Sequence, residues 1–241
     1  MRERTVTPLP GGPADWPAPP WVRTWSTRRG PDLGLQGSTA PELVHQHRQW
    51  LAQTLRIRPW WLTQVHGVEV RTDRDEREEG ADAAVTRQTG IGCLVLTADC
   101  LPVLFCHERE PVVGAAHAGW RGLAAGVLEH TLQAMAVDPA GVLAWLGPAI
   151  GPQAFEVGAE VRAHFLRSQP EAGEAFRPGQ EGRWWADLPA LARLRLARLG
   201  VTRIYGGGHC TVRENELFYS YRKEGPGAGR MGHVVWMAEQ P

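Results

Sequence analysis

One apolar segment, residues 91–106, constrains the fold more than any other part of this chain. Its sequence is IGCLVLTADCLPVLFC, and only Thr97, Asp99 and Pro102 interrupt the apolar run. Its length and β-branched residues favour two buried strands with a break at 98–102 over one helix. The next segment, PVVGAAHAG, predicts another buried strand that runs into a helix over 120–137. Strands and helices alternate along the chain, which favours an α/β fold.

Upstream of this centre the sequence predicts one helix, one strand and one loop. The helix is expected from about residue 41, with Ser38 or Thr39 as its N-cap and Pro41 in its first turn. The segment WWLTQVHGVEVRT predicts a strand that ends in a turn at His66–Gly67. The charged stretch 73–80 is expected to be a solvated loop.

Downstream, an amphipathic helix is predicted to end just before Gly200. Three later segments are expected to be strands around a glycine-rich loop: 201–210, 214–222 and 233–237. The chain has 241 residues, or roughly 1.6 times a domain of about 150 residues. No repeat or clear linker divides it, so we expect a single domain over 1–241 with an irregular entry over 1–30.

Composition excludes several classes of protein. Basic and acidic residues number 26 each, and a net charge of zero disfavours a nucleic-acid-binding protein. No apolar run reaches the length of about 18 residues that a membrane-spanning helix needs, and the N-terminus lacks the apolar core of a signal peptide. The four cysteines form no CxxC pair, which indicates reduced thiols in the cytoplasm.

Three residues have the types and positions of a metal site. His66, Cys100 and His117 each lie where a predicted buried strand ends in a tight turn, the usual place for sites in α/β proteins. Two imidazoles and a thiolate form a zinc ligand set with the fourth position open, as catalytic zinc requires. The alternative is that the histidines are surface residues and the cysteine a packing residue.

Two other segments have features of an anion site. Arg121 lies in the first turn of the predicted helix after AAHAG, where backbone N–H groups and an arginine suit phosphate, unless the arginine merely pairs with a carboxylate. The segment SYRKEGPGAGRMG places Arg222, Lys223 and Arg230 around four glycines and next to the aromatic residues Phe218, Tyr219 and Tyr221. Such a loop suits a planar ligand and its phosphate, and the alternative is a plain glycine-rich hairpin.

Seven motifs in this chain, in order, resemble those of the YfiH-like, or laccase-domain, purine nucleoside phosphorylase family. They are QVHG, ADAAVT, LTADCLPVLF, AAHAGWRG, GPAIGPQAFEVG, GGHCT and FYSYRKEGPGAGRMG. The resemblance covers about residues 30–237 and is specific because all seven match in register. It implies a four-layer α/β/β/α arrangement with mixed sheets, similar to a class of cysteine hydrolases. It also implies that His66, Cys100 and His117 are the metal-binding and catalytic residues.

The implied activity is phosphorolysis of adenosine, inosine, guanosine or methylthioadenosine to a base and ribose 1-phosphate. Adenosine deamination at the same site is implied as well, with zinc, or else copper, as the metal. We expect Arg121, with Arg222 or Lys223, to hold phosphate against C1′ of the ribose, and Phe218 or Tyr219 to stack on the purine. The sequence leaves open whether the protein is a monomer or a homodimer.

The chain departs from the family pattern in three places. The usual S-Y-R-R-D is SYRKE here, and the usual N-x-G stretch begins with Asp32. The Asn-Arg pair expected on the first helix is His47–Arg48, and the resemblance implies that Arg48 contacts the substrate.

Three rival functions remain open at this point. A metal-free hydrolase would use Cys100 as nucleophile and His117 or His66 as base. A copper-dependent polyphenol oxidase is disfavoured because the chain has one H-x-H pair and no methionine near Cys100 or His117. The third rival is a partner-binding protein without enzymatic activity that acts in cell-wall maintenance.

Overall fold

Fourteen strands and six α-helices make up the computed structural model, which describes residues 9–74 and 80–239. The strands are β1 Gly11–Gly12, β2 Val22–Thr27, β3 Arg58–Trp60, β4 Val70–Arg71, β5 Ala83–Thr86, β6 Ile91–Thr97, β7 Leu101–His107, β8 Val113–Ala118, β9 Val142–Leu146, β10 Glu156–Gly158, β11 Phe176–Pro178, β12 Arg183–Ala186, β13 Arg203–Gly206 and β14 Met231–Met237. The helices are α1 Pro41–Leu55, α2 Trp120–Ala125, α3 Val127–Met135, α4 Ala159–Ser168, α5 Leu188–Arg198 and α6 Tyr221–Glu224.

Two mixed sheets contain most of the strands. The first has the order β1-β2-β14-β6-β3, and the second has the order β13-β9-β7-β8-β5-β4. The parallel pairs are β3 with β6, β4 with β5 and β13 with β9, and the other neighbours are antiparallel. A small antiparallel sheet, β10-β12-β11, is separate from both.

The sheets and helices form four layers, because successive side chains of the central strands pack on opposite faces of their sheet. In β6, Cys93 packs between the two sheets, whereas Leu94 points the other way, toward Leu51 of α1. In β7, Leu104 packs between the sheets, whereas Phe105 packs with residues of α3 and α5 on the outer face. Both faces of each sheet are therefore covered, and the implied α/β/β/α arrangement is confirmed.

The strongest sequence signals are also confirmed. The apolar run over 91–106 forms β6 and β7, and the break between them holds residues 98–100. The helix that follows β8 is two helices, because Gly126 has a φ of 106° and interrupts the hydrogen-bond pattern between α2 and α3. The helix predicted before Gly200 is α5. The small helices and the β10-β12-β11 sheet were not predicted in detail.

Three predictions of local structure were wrong. Neither Ser38 nor Thr39 caps α1, since the N-cap is Ala40 and makes no side-chain hydrogen bond. The strand predicted up to His66 ends at Trp60, and beyond it the side chain of Gln64 bonds both the backbone N–H and the C=O of Leu96 in place of a neighbouring strand.

The segment 214–222 is a series of turns that leads into α6, with backbone bonds such as Phe218 N–H to Glu214 C=O. These local bonds satisfy the backbone without a partner strand. The charged loop predicted over 73–80 lies partly outside the described residues. Over the described residues, no helix has both the length and the apolar character needed to cross a membrane.

Candidate metal centre

The three candidate ligands come from three separate turns and strand ends. His66 lies between β3 and β4, Cys100 lies in the turn between β6 and β7, and His117 lies near the end of β8. Their ligating atoms all lie within 4.8 Å of one another, and Cys100 Sγ is 3.8 Å from His66 Nε2. The two imidazole rings meet edge to face with centroids 4.8 Å apart. The antiparallel pairing of β7 with β8 creates this convergence, because it sets His117 opposite Pro102.

A buried carboxylate holds both histidines in place. Asp82 is fully buried, and its Oδ1 accepts hydrogen bonds from His66 N–H at 2.9 Å and from His117 Nδ1–H at 2.7 Å. Its Oδ2 accepts from the backbone N–H groups of Val65 at 3.0 Å and Gly67 at 2.7 Å. Because Nδ1 of His117 donates to Asp82, Nε2 is left as the nitrogen that can bind a metal.

The same carboxylate stabilises a strained turn. His66 has a φ of 62°, in the left-handed region that residues other than glycine rarely adopt. Asp82 bonds the backbone N–H of this residue and of its two neighbours, which fixes the turn. Burial acts to raise the pKa of Asp82, but the hydrogen bonds from His117, Gly67 and Val65 outweigh it and lower the pKa.

Sequence reasoning did not single out Asp82, although it lies in the motif ADAAVT. The signal available was an aspartate directly before a buried strand. That position alone does not show which side chains the carboxylate bonds.

The electrostatics of the site favour a thiolate. Burial acts to raise the pKa of Cys100, but His117 and His66 outweigh it and lower the pKa from 9.0 to about 6. Burial acts to lower the pKa of His117, but the Cys100 thiolate and Asp82 outweigh it and raise the pKa to about 9. Without a metal, the site therefore holds a thiolate beside an imidazolium, and a metal cation would replace the proton that the pair shares.

These residues fit a zinc ion. Two imidazole nitrogens and one thiolate suit catalytic zinc, and Asp82 is the carboxylate that accepts from the other ring nitrogen of His117, as is usual for a ligating histidine. Gly119 leaves the space in front of them free, since a Cβ there would lie 2.9 Å from Cys100 Sγ and 3.6 Å from His117 Nε2. Within the described residues, this is the one group of three or more such side chains close enough to share an ion.

The three ligands line a cleft of about 570 Å³, within the usual size range of small-molecule sites. Arginine and aromatic side chains make up much of the rest of its wall. They are Arg48, Arg121, Arg222, Arg230, Trp61, Trp120, Phe155 and Tyr221. The cleft therefore combines a metal position, cationic groups and flat apolar surfaces.

The structure brings four of the predicted arginines to this cleft. Arg121 stacks on Trp120 and forms no ion pair with a described carboxylate. The backbone N–H of Arg222 donates to Asp99, the residue before Cys100, at 2.6 Å. Arg48 and Arg230 also line the cleft.

Three other predicted site residues do not line the cleft. Lys223 is exposed, and its backbone N–H donates to Ser220 Oγ. Phe218 is buried against the ring of His209, and the Tyr219 hydroxyl donates to the carbonyl of Gly30 at 2.7 Å. Of the aromatic rings at the cleft, the sequence pattern pointed to Tyr221 beside the glycine-rich loop but not to Trp61, Trp120 or Phe155.

Comparison with known proteins places the chain among relatives of the same length. The family model described as "Multi-copper polyphenol oxidoreductase laccase" matches residues 26–238. A purine nucleoside phosphorylase of Pseudomonas aeruginosa is 46% identical over 93% of this chain and 97% of its own length. The purine nucleoside phosphorylase YfiH of Escherichia coli is 45% identical over 92% of this chain and 96% of its own length.

Solved structures agree with this assignment. A crystal structure of a Neisseria meningitidis protein of family DUF152 superposes with a TM-score of 0.91 and 43% identity, and covers 95% of this chain and 99% of that one. YlmD from Geobacillus stearothermophilus has a TM-score of 0.81 and 29% identity, over 92% of this chain and 94% of that one. The chain therefore belongs to the laccase-domain family, the family of YfiH, whose model is described as "Multi-copper polyphenol oxidoreductase laccase".

Proposed function

We propose that this protein is a zinc-dependent purine nucleoside phosphorylase that also deaminates adenosine at the same site. The cluster of His66, Cys100 and His117 in a cleft lined by arginines and aromatic rings carries this proposal. The names of the relatives from Pseudomonas aeruginosa and Escherichia coli support the phosphorylase activity. The proposed substrates are adenosine, inosine, guanosine and methylthioadenosine, with inorganic phosphate.

The proposed chemistry takes place at two parts of the cleft. The metal end is formed by His66, Cys100 and His117, and the anion site is formed by arginines. Zinc, when bound, polarises a substrate oxygen or lowers the pKa of a water molecule to about 7. His66, Cys100 and His117 hold it, while Asp82 bonds the imidazole of His117 and the backbone N–H of His66. In phosphorolysis a phosphate oxygen forms a bond to C1′ of the ribose, the bond to the purine nitrogen breaks, and the base leaves with a proton.

The proposed phosphate ligands are the arginines nearest the metal end. Arg121 lies two residues after Gly119, which is next to Cys100. The backbone N–H of Arg222 donates to Asp99, which lies in the same turn as Cys100. Arg222 therefore fits the role better than Lys223, which does not line the cleft. Stacking on the purine is proposed for the aromatic rings of the cleft instead of Phe218 and Tyr219, for the same reason.

Copper-dependent oxidation of phenols is the less supported alternative. A multicopper oxidase needs several copper positions, whereas the described residues bring together one group of three donors. A metal-free hydrolase retains one supporting observation, because a Cys100 thiolate beside a protonated His117 also describes a thiol nucleophile. The four cysteines are all free thiols, which supports a cytoplasmic location.

The test is turnover of each nucleoside by protein that has been stripped of metal and then reloaded with zinc. Free base should appear only with both zinc and phosphate present, and inosine should appear from adenosine without phosphate. Cys100→Ala should lose bound zinc and turnover together, while Cys210→Ala, a half-buried cysteine outside the cluster, should keep both.

Three outcomes would contradict the proposal. Full activity in metal-free Cys100→Ala would exclude a role for the cluster. Loss of activity with a thiol alkylator, but not with a chelator, would indicate the hydrolase. Absence of turnover by zinc-loaded protein on every nucleoside would favour the partner-binding protein of cell-wall maintenance.

A further inference from the structure

Each of the four arginines that line the cleft is stacked on an aromatic ring of the same cleft. The distance from the guanidinium carbon to the ring centroid describes each pair. It is 4.4 Å for Arg48 on Trp61, 4.5 Å for Arg121 on Trp120, 5.6 Å for Arg222 on Phe155 and 5.9 Å for Arg230 on Tyr221. None of the four forms an ion pair with a carboxylate in the described part of the chain. A stacked guanidinium can keep the N–H groups on its edge free to donate to an anion, whereas those of Arg222 also donate to the carbonyls of Ala154 and Glu156 at 3.2 and 3.3 Å.

These four arginines have one carboxylate beside them in the wall of the cleft and a second one, Asp32, behind it near Arg48. Asp99 is the one carboxylate that lines the cleft in the described residues. Its two oxygens already accept hydrogen bonds from the Thr211 hydroxyl and the backbone N–H of Arg222. A phosphate ion held by Arg121 and Arg222 at the metal end would leave the other two guanidinium groups with Asp32 nearby, which forms no ion pair with either of them in the described residues.

Those two, Arg48 and Arg230, share one wall of the cleft. Arg48 Nε donates to the carbonyl of Leu33 at 2.9 Å. Arg230 pairs with the same short segment through its backbone, since its N–H donates to Asp32 Oδ1 at 2.8 Å and its C=O accepts from Leu33 N–H at 3.1 Å. The side chain of Arg230 passes over Gly34 so closely that a Cβ there would collide with it. The segment 32–34 therefore fixes the two arginines relative to each other.

Both guanidinium groups retain free donors. The terminal nitrogens of Arg48 make no hydrogen bond to a described residue, and Arg230 uses only Nη1, which donates to the carbonyls of Ala228 and Gly229. Asp32 lies behind this wall, and its Oδ1 accepts backbone N–H groups from Gly34 and Arg230 instead of a guanidinium. Guanidinium groups with free N–H donors are the groups with which proteins commonly bind a phosphate ester.

We propose that Arg48 and Arg230 form a second anion subsite, so that the cleft binds nucleosides that carry a phosphate ester on the sugar. The purine would stack on the aromatic rings and the metal end would hold its ion as in the proposed function, on which this inference rests. The phosphate ester would contact the Arg48–Arg230 wall, while inorganic phosphate would keep the metal end.

The experiment compares the binding of inosine and inosine 5′-monophosphate to the zinc-loaded protein, without inorganic phosphate, so that no phosphorolysis occurs. The monophosphate should bind at least about tenfold more tightly, since a charge-assisted hydrogen bond contributes about that factor or more. Its affinity should also fall more steeply with salt than that of inosine. The double variant Arg48→Gln, Arg230→Gln should bring the ratio of the two dissociation constants to within about twofold.

Two further variants serve as controls. Arg162 stacks on Trp184 at 4.2 Å outside the cleft, so Arg162→Gln should keep the ratio. Arg121→Gln should keep it as well if the ester uses the second subsite. A ratio near one in the unmodified protein, or a ratio that only Arg121→Gln abolishes, would overturn the proposal. If the double variant does not fold, the salt dependence and the two single variants decide the question.

The outcome is separable from that of the proposed function, which is measured by release of free base. A protein that prefers the monophosphate but turns over no nucleoside has the subsite without the phosphorylase activity. A phosphorylase without this preference lacks the subsite. A protein that binds neither ligand contradicts both proposals.

Discussion

Adding one methyl group at Gly119 should weaken metal binding while leaving the fold intact. An alanine Cβ at this position would lie 2.9 Å from Cys100 Sγ, 3.1 Å from His66 Cδ2 and 3.6 Å from His117 Nε2. Non-bonded heavy atoms prefer about 3.5–4.0 Å, so the first contact is too short by roughly 0.6 Å or more. The backbone itself tolerates alanine, because Gly119 has a φ of −59° and a ψ of 155°. The three atoms nearest to the added methyl group all belong to the candidate ligands.

The cost should fall mainly on the metal-bound state. Without metal, the half-buried side chain of Cys100 and the exposed ring of His66 can move away from the new methyl group, but a bound ion requires all three candidate ligands to converge. Overpacking of this kind costs about 1–3 kcal/mol, which corresponds to a rise in the zinc dissociation constant of about 5- to 150-fold. The free energy of unfolding of metal-free protein should change by only about 1 kcal/mol, as expected for a Gly→Ala change at an N-cap.

The assay is competition for zinc with a chromophoric chelator, together with denaturant unfolding of the metal-free protein. Gly12→Ala is the matched control, since a Cβ at Gly12 has no atom within 4 Å. It should leave the zinc dissociation constant unchanged. If Gly119→Ala binds zinc as tightly as the unmodified protein, the three side chains do not converge on an ion in front of Gly119, and the assignment of the metal centre fails.

Two further predictions follow from buried polar residues. Asp82→Asn should raise the zinc dissociation constant about 10- to 100-fold and alter the visible spectrum of the cobalt-substituted protein, because the carboxylate that bonds the His117 ring and the His66 backbone is lost. Asp187→Asn, at the N-cap of α5, is the control and should leave zinc binding unchanged. Burial lowers the pKa of His233 from 6.5 to about 3, so the unfolded chain binds more protons between these values, and stability present above pH 6.5 is lost as the pH falls. The loss should be about 1.4 kcal/mol per pH unit and should be absent from His233→Gln. Urea unfolding of both proteins between pH 6.5 and 4.5 measures it. The same pH dependence of the free energy of unfolding in both proteins would contradict the prediction.

Local patterns in the sequence were enough to identify the central strands. The apolar run over 91–106 has to be buried on both faces, and Asp99 with Pro102 marks where one strand gives way to the next. The predictions failed where a side chain replaced a backbone partner. Gln64 bonds the edge of β6 in place of a strand, and turns in the segment 214–222 satisfy their own backbone groups. Such choices depend on neighbours that are distant in sequence.

The candidate ligands show the same division. The residue types and turn positions of His66, Cys100 and His117 suggested a zinc set, and the family motifs strengthened it, but no spacing in the sequence states that their ligating atoms meet within 4.8 Å. The pairing of β7 with β8 and the hydrogen bonds of Asp82 bring them together.

The α/β class, the buried central strands and the types of residue available for a metal and an anion all follow from the amino-acid sequence. Three features are visible only in the folded chain: Asp82 bonds both candidate histidines, Arg48 and Arg230 contact the same segment, and Phe218 and Tyr219 stay out of the cleft. The difference is one of range. Burial and backbone periodicity are set by near neighbours along the chain, whereas a hydrogen bond or a shared ion depends on atoms that only the packing of sheets and helices brings within 3–4 Å.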